Sequence, residues 1–179
     1  VFYSVSAGLN GLAGPLHGLA NQECLRFILD LKNEFNGVPT DEQLREYTWK
    51  RLSSGQVIPG YGHAVLRVTD PRFTAFHQFA EKHNLQDDTI QIMQKLFRIV
   101  PEVLKEQGKA KNPWPNVDAA SGSLLHHYGL QEFEFYTVMF GVSRAMGICS
   151  QILFHRLFNS PIVRPKSMTL AEIKKLAGM

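Results

Sequence analysis

The 179-residue sequence is poor in cysteine and has no strong excess of charge of either sign. Its two cysteines, Cys24 and Cys149, lie far apart and form no CxxC pair, which argues against a disulfide framework or a zinc site and fits a reducing compartment. The net charge of +3 is too small to indicate a nucleic-acid-binding protein, although it is compatible with a local phosphate site. With 44% hydrophobic and 20% charged residues, the chain can bury a core and is not a disordered tail.

The sequence also lacks an uninterrupted apolar run, a P-loop and a visible targeting signal. Polar side chains interrupt its longest apolar region, residues 135–158; they are Ser143, Arg144, Ser150, Gln151 and His155. We therefore expect a buried core helix there rather than a membrane span. The chain opens on Val-Phe-Tyr-Ser, with no initiator methionine, charged n-region or cleavage pattern. This uncapped apolar start predicts that the sequence was cut from a longer one.

Helical periodicity and capping residues predict an all-α protein, with no repeat and no alternating strand pattern. The predicted helices cover residues 18–34, 40–52, 71–80, 88–100, 117–128, 132–158 and 170–177. Pro101 is expected to kink or split the helix that contains it. The helix opened by Asp70 and Pro71 is expected to turn its apolar side chains inward, namely Phe73, Phe76, Phe79 and Ala80. Glycine and proline mark residues 56–62 and 108–117 as loops.

Two of the loop-to-helix junctions carry a histidine. His17 lies between glycines at a helix start, where the positive end of the helix dipole favours a neutral imidazole that can donate a hydrogen bond to a carbonyl. A solvent-facing or capping histidine is the alternative. His63 follows the Gly-Tyr-Gly sequence at residues 60–62 and precedes Arg67 and Arg72, which suit carboxylate or phosphate. A glycine-rich turn with surface arginines is the alternative there.

Two further junctions carry an aspartate and two arginines. Asp118 follows the stiff Asn-Pro-Trp-Pro-Asn-Val sequence and is either a positioned general base or a helix cap. Arg144 lies inside the long apolar helix, and because a buried arginine is costly unless paired, we expect it to meet a carboxylate of the protein or of a substrate. Arg164 follows in a proline-containing loop, with a surface arginine as the alternative.

These segments resemble those of the mitochondrial-type citrate synthases. Residues 9–23, with Ala-Gly-Pro-Leu-His-Gly around His17, resemble the first catalytic-histidine segment of that family, and residues 59–72 resemble the second. Residues 109–122 resemble its catalytic-aspartate segment, and residues 141–145 and 164–167 resemble its two later arginine motifs. The matches follow the family order and cover nearly the whole chain.

The resemblance implies a role for each motif residue. Asp118 would be the general base that deprotonates acetyl-CoA, His17 would stabilise the enolate, and His63 would polarise the ketone of oxaloacetate. Arg72 and Arg144 would bind oxaloacetate carboxylates, and Arg164 would reach into the partner's site of a homodimer. The residues implied to bind coenzyme A, a cosubstrate, are Val57, Ile58, Gly60, Tyr61, Gly62, Ala64, Arg67 and Asn116. The resemblance implies no metal and no permanently bound cofactor.

The family fold is a two-domain, mostly helical one. By analogy, residues 18–128 form the small, mobile, CoA-binding domain, and residues 1–17 and 129–179 belong to the large domain. Since family members are more than twice as long, we expect the large-domain helices to expose apolar faces and this chain alone to be unstable or inactive. The resemblance also implies the mitochondrial matrix, with no nucleic acid and no membrane as partner. Three alternatives stay open: a 2-methylcitrate synthase using propionyl-CoA, a citrate-cleaving relative, and a non-catalytic structural or filament-forming relative.

Overall fold

The computed structural model describes residues 1–63, 65–162 and 168–178, which form eight helices and no strand. The helices are α1 (Phe2–Asn10), α2 (Ala20–Glu34), α3 (Asp41–Ser53), α4 (Pro71–Lys82), α5 (Asp88–Gln107), α6 (Asp118–His127), α7 (Glu134–Leu157) and α8 (Leu170–Leu176). The predicted all-α class is confirmed. Helix α1 was not predicted, because its sequence carries no side-chain N-cap and no acidic residue in its first turn.

Local sequence fixes where several helices begin. Thr40 forms a complete capping box with Gln43 at α3, and the carboxylates of Asp70 and Asp87 cap α4 and α5. The alternative that Pro101 splits its helix is wrong, because α5 runs through it. Pro101 costs about 3 kcal/mol in a helix interior, but apolar side chains on both sides of it are buried, each contributing about 1.5–3 kcal/mol.

Helices α2 to α6 share one hydrophobic core. Helix α5 supplies the largest share of the buried side chains and packs against α2, α3 and α6. Of the four residues expected to face inward from α4, Phe73 and Ala80 are buried and Phe76 packs at the edge of the core. Phe79 is 40% exposed, so its prediction is wrong; it lies against the ring of His83 near the end of the helix.

Helices α1 and α7 pack on each other, and α7 also contacts α2. The prediction that the long apolar helix is a buried core helix is wrong for this chain, since Tyr136 is the buried residue of α7. Exposed apolar side chains lie along its length: Phe135, Val138, Met139, Val142, Met146, Leu153, Phe154 and Leu157. This confirms the expected exposure of apolar faces for α7. The assignment of residues 1–17, 18–128 and 129–179 to two domains stays a prediction.

By length and composition alone, α7 could cross a membrane. Its most apolar window has a mean hydropathy of 1.3, and none of that window is buried among the described residues. Core helices of soluble proteins pass the same test, and α7 carries Arg144 near its middle. The observation is therefore weak evidence for a membrane span.

Candidate active site

Asp118 is the first residue of α6, and the segment before it is held by side-chain to backbone hydrogen bonds. The side chain of Asn112 accepts from the backbone N–H of Trp114 at 3.2 Å, and that of Asn116 accepts from the backbone N–H of Asp118 at 2.9 Å. The helix-cap alternative is wrong, because Val117 is the N-cap and the Asp118 carboxylate accepts no hydrogen bond from the first turn of this helix. The half-buried carboxylate of Asp118 is therefore available for another role.

Four charged or titratable groups surround Asp118. Burial raises the pKa of this carboxyl above the ordinary aspartate value, while the guanidinium of Arg72 and the imidazoles of His17 and His63 each favour the ionised form. The carboxylate of Asp70 acts in the opposite direction and adds to the increase. The structure thus places His17, His63 and Arg72 close enough to Asp118 to act on its charge. Their catalytic roles stay predictions.

His17 lies in a tight turn between α1 and α2. Its backbone N–H donates to the carbonyl of Gly14 at 3.2 Å, and the next residue, Gly18, donates to the carbonyl of Leu12 at 2.9 Å. The imidazole is exposed and packs edge-on against Phe140 of α7, with ring centroids 5.1 Å apart. The aromatic neighbour was not predicted, since nothing in the sequence links residue 140 to residue 17.

Arg144 lies one helical turn after Phe140 and shares that ring. Its guanidinium carbon is 5.0 Å from the ring centroid, a cation–π distance, and no carboxylate of the described residues forms an ion pair with it. The expected protein carboxylate is therefore not found. Because Arg144 is half-exposed, water hydrates its charge, and its N–H groups can donate hydrogen bonds to an anionic ligand.

The loop around His63 fixes which nitrogen of the ring carries the proton. Nδ1 accepts hydrogen bonds from the backbone N–H groups of Val65 and Leu66, at 3.0 and 2.9 Å. A neutral imidazole that accepts at Nδ1 must carry its hydrogen on Nε2. His63 is exposed, so this Nε2–H can donate to a ligand.

Arg72 is held by an aspartate whose role the sequence analysis missed. The buried carboxylate of Asp70 accepts from Nε and Nη2 of Arg72, at 3.1 and 2.8 Å, in a two-point contact. The pKa of Asp70 is lowered chiefly by this pairing, so the carboxylate is ionised. Its assignment as an N-cap was correct, and the signal for the second role is the Asp-Pro-Arg spacing, which puts the arginine one residue inside the helix.

A cleft of about 330 Å³ opens between the 55–62 loop, which leads into His63, and the end of α5. Four of the residues predicted to bind coenzyme A line it: Val57, Ile58, Tyr61 and Gly62. Lys109 also lines it, and Lys105, four residues earlier, lies over the ring of Trp114 at 4.2 Å. A cleft with apolar and backbone walls and a cation at its side suits a flat ligand that carries phosphate.

Three more of the predicted coenzyme A residues do not line the cleft. Gly60 and Asn116 are paired with each other, since the carbonyl of Gly60 accepts from the backbone N–H of Asn116 at 2.9 Å. Arg67 donates from Nη1 to the carbonyl of Leu66 at 2.8 Å, within its own loop. Their contacts with a ligand stay predictions. Ala64 and Arg164 lie outside the residues that the structure describes.

Gly60 brings the loop close against α6. Its φ of +79° favours glycine, and a Cβ there would lie 2.8 Å from the Cα of Ala119 and 2.9 Å from the sulfur of Cys24. The loop therefore rests directly on the helix that carries Asp118. Across residues 1–63, 65–162 and 168–178, no group of three or more His, Cys, Asp or Glu side chains is arranged to hold a metal ion.

Comparison with known proteins identifies the family and the fold. A family model described as citrate synthase, C-terminal domain, matches residues 1–166. The probable mitochondrial citrate synthase of Glossina morsitans morsitans is 54% identical over 98% of this chain, and the mitochondrial citrate synthase of Xiphias gladius is 54% identical over 99%. The chain spans 38% of the length of each of these two relatives. In solved structures, the citrate synthase of Thermoplasma acidophilum, in a ternary complex with carboxymethyl coenzyme A and oxaloacetate, superposes with a TM-score of 0.73 at 23% identity, covering 93% of this chain and 42% of that one.

Proposed function

The chain belongs to the citrate synthase family, and we propose that the protein carrying it condenses acetyl-CoA with oxaloacetate and hydrolyses the citryl-CoA formed to citrate and CoA. The convergence of His17, His63 and Arg72 on the half-buried carboxylate of Asp118 carries this proposal. Making an enolate and adding it to a dianionic keto acid requires a base, hydrogen-bond donors for two oxygens and cations for the carboxylates.

In the proposed first step, Asp118 removes a proton from the methyl group of acetyl-CoA. A thioester α-proton is a very weak acid, so the developing negative charge on the thioester oxygen needs a hydrogen-bond donor, and His17 supplies it. The raised pKa of Asp118 supports this role, since a carboxylate with a higher pKa is a stronger proton acceptor.

In the second step, the methyl carbon forms a bond with the ketone carbon of oxaloacetate. The Nε2–H of His63 donates a hydrogen bond to the ketone oxygen and stabilises the negative charge that develops there. This oxygen gains a proton and becomes the hydroxyl of citryl-CoA, and the proton that Asp118 took from the methyl group balances it, so the condensation causes no net change in protonation. Arg72 and Arg144 bind the two carboxylates. Water then cleaves the thioester, which gives the third carboxylate of citrate and the free thiol of CoA.

The cleft between the 55–62 loop and the end of α5 is the proposed site of coenzyme A. Its wall of Val57, Ile58, Tyr61 and Gly62 would face the adenine, and the predicted role of Arg67 is to meet a phosphate of the same molecule. The complex of the Thermoplasma acidophilum relative with carboxymethyl coenzyme A and oxaloacetate supports these ligand classes. Gly60, Ala64 and Asn116 complete the proposed CoA-binding set.

The proposed assembly is a homodimer in which Arg164 reaches the partner's site, and the proposed location is the mitochondrial matrix. Relatives at 54% identity that are named as mitochondrial enzymes support the location. The exposed apolar side chains of α7 are compatible with burial in a larger assembly.

The decisive experiment measures release of the CoA thiol from acetyl-CoA by the complete gene product, with and without oxaloacetate. We expect release that requires oxaloacetate and that Asp118→Asn reduces by about 10³-fold or more, since the amide cannot accept the proton. Propionyl-CoA is the second substrate, and a faster rate with it would favour 2-methylcitrate synthesis. A folded protein with no oxaloacetate-dependent release would contradict the proposal and favour a structural role.

A further inference from the structure

We propose that Asp70 is a positioning residue of this site: its buried carboxylate holds the guanidinium of Arg72 and the segment leading to Asp118 in one fixed arrangement. The inference rests on the proposed function, because it concerns how two residues of that reaction are oriented. Asp70 itself would touch neither substrate.

Asp70 joins the start of α4 to the segment before Asp118, mainly through its side chain. Oδ1 accepts from the backbone N–H of Arg72 at 2.9 Å and from its Nε at 3.1 Å. Oδ2 accepts from Nη2 of Arg72 at 2.8 Å and from the backbone N–H of Val117 at 3.2 Å. The backbone N–H of Asp70 donates to the carbonyl of Pro115 at 3.1 Å. A carboxylate offers about four acceptor positions, so these bonds leave none for a substrate.

This pattern differs from an ordinary helix cap. Asp87, the matching aspartate at α5, accepts from the backbone N–H groups of Thr89 and Ile90 in its own helix, and its other partners are the side chains of Thr89 and of His127 at the end of α6. Asp70 also binds a guanidinium and the residue directly before Asp118, which is distant in sequence. It is the second set of bonds that connects α4 to the start of α6.

The exposed fractions of the two side chains show that Arg72 faces solvent while Asp70 lies beneath it. The side chain of Asp70 is 2% exposed, whereas that of Arg72 is 63% exposed. The carboxylate therefore binds Nε and Nη2 of Arg72 from the protein side, while most of the arginine side chain stays open to solvent. Fixing the plane of a guanidinium lowers the entropy lost when its remaining donors bind a carboxylate.

The charges around Asp118 are also balanced by this pair. Asp118 faces Arg72 and Asp70 from α4 and its N-cap, His63 from the loop, His17 from the turn before α2, and the buried thiol of Cys24 from α2. Arg72 lowers the pKa of Asp118 and Asp70 raises it. Removing the Asp70 charge would leave the positive charge uncompensated and would also release Arg72 to approach Asp118.

The test compares Asp70→Asn and Asp70→Ser with Asp87→Asn in the complete gene product. All three substitutions keep a side-chain oxygen that can cap the helix, but the two at residue 70 cannot bind a guanidinium at two points. For both Asp70 variants we expect the KM for oxaloacetate to rise about tenfold or more, and the KM for acetyl-CoA to change much less. We expect the acid limb of the kcat profile to move to lower pH in the same variants, and none of these changes in Asp87→Asn.

The outcomes separate this inference from the proposed function. If the unaltered protein releases no CoA with oxaloacetate, the proposed function fails. If it is active and the Asp70 variants match Asp87→Asn in KM and pH profile, the positioning role alone is wrong. Failure of both Asp70 variants to fold, judged by helical circular dichroism, would also overturn it, because the carboxylate would then be needed for the fold rather than for the geometry of Arg72.

Discussion

Replacing Gly60 with alanine would push a methyl group into the helix that carries Asp118. The new Cβ would lie 2.8 Å from the Cα of Ala119 and 2.9 Å from its Cβ, distances that real side chains do not adopt. Backbone cannot rotate away as a flexible side chain does, so either the 55–62 loop or the start of α6 must move. Both carry parts of the proposed site.

The size of the effect has two contributions. A non-glycine residue at φ +79° lowers the free energy of unfolding by about 1–2 kcal/mol. Overpacking of a well-filled contact lowers it by about 1–3 kcal/mol. We therefore expect Gly60→Ala to lower the free energy of unfolding by about 2–5 kcal/mol. A displacement of α6 by a few tenths of an ångström would also lower kcat, since a general base works only in a narrow geometry.

Gly129→Ala is the matched control. Gly129 has a φ of +89°, is exposed, and has no atom within 4 Å of the position of a Cβ. Only the conformational cost of about 1–2 kcal/mol applies to it. Denaturant unfolding of both variants and of the unaltered protein, with thiol release measured on each, gives the comparison. Equal losses of stability in the two variants would refute the argument that the loop rests on α6.

Two other predictions follow from the same structure. Burial raises the pKa of the Asp118 carboxyl, so the acid limb of the kcat profile should lie above the ordinary aspartate value of 3.8. Arg72→Gln should move this limb to higher pH still, because the guanidinium lowers the pKa of Asp118. An acid limb that stays in place in Arg72→Gln would show that another group controls it. Thr40→Ala should lower the free energy of unfolding by about 0.5–2 kcal/mol by removing the capping box of α3, and unchanged denaturant unfolding would contradict the importance of that cap.

Helix positions were predictable where the signal is local. A capping side chain predicts a helix start at Thr40, Asp70 and Asp87, because it accepts hydrogen bonds from the backbone N–H groups that follow. The structure has all three caps. Helix α1 has no such cap, so its start could not be found. Continuation through Pro101 depends on burial against other helices, which periodicity within one segment does not reveal.

The residues of the proposed site could be listed from the sequence, but the contacts between them could not. Each member of the cluster around Asp118 lies in a recognisable motif, so the list of residues was found before the fold. The roles of Asp70 and Phe140 were missed, because each acts through a residue of another segment or another helix. The exposure of α7 was missed for a related reason: an apolar pattern shows that a helix needs partners, and not whether this stretch of chain supplies them.

The two cysteines now have a practical meaning for the laboratory. Cys24 is buried, and burial raises the pKa of its thiol, so maleimides and aromatic disulfide reagents should leave it unmodified in the folded chain. Cys149 is exposed on α7 and should react. In this chain alone, a thiol reagent should therefore modify one cysteine at once, whereas a second thiol reacting over time would report unfolding. The same contrast makes Cys149 the natural attachment point for a single fluorophore.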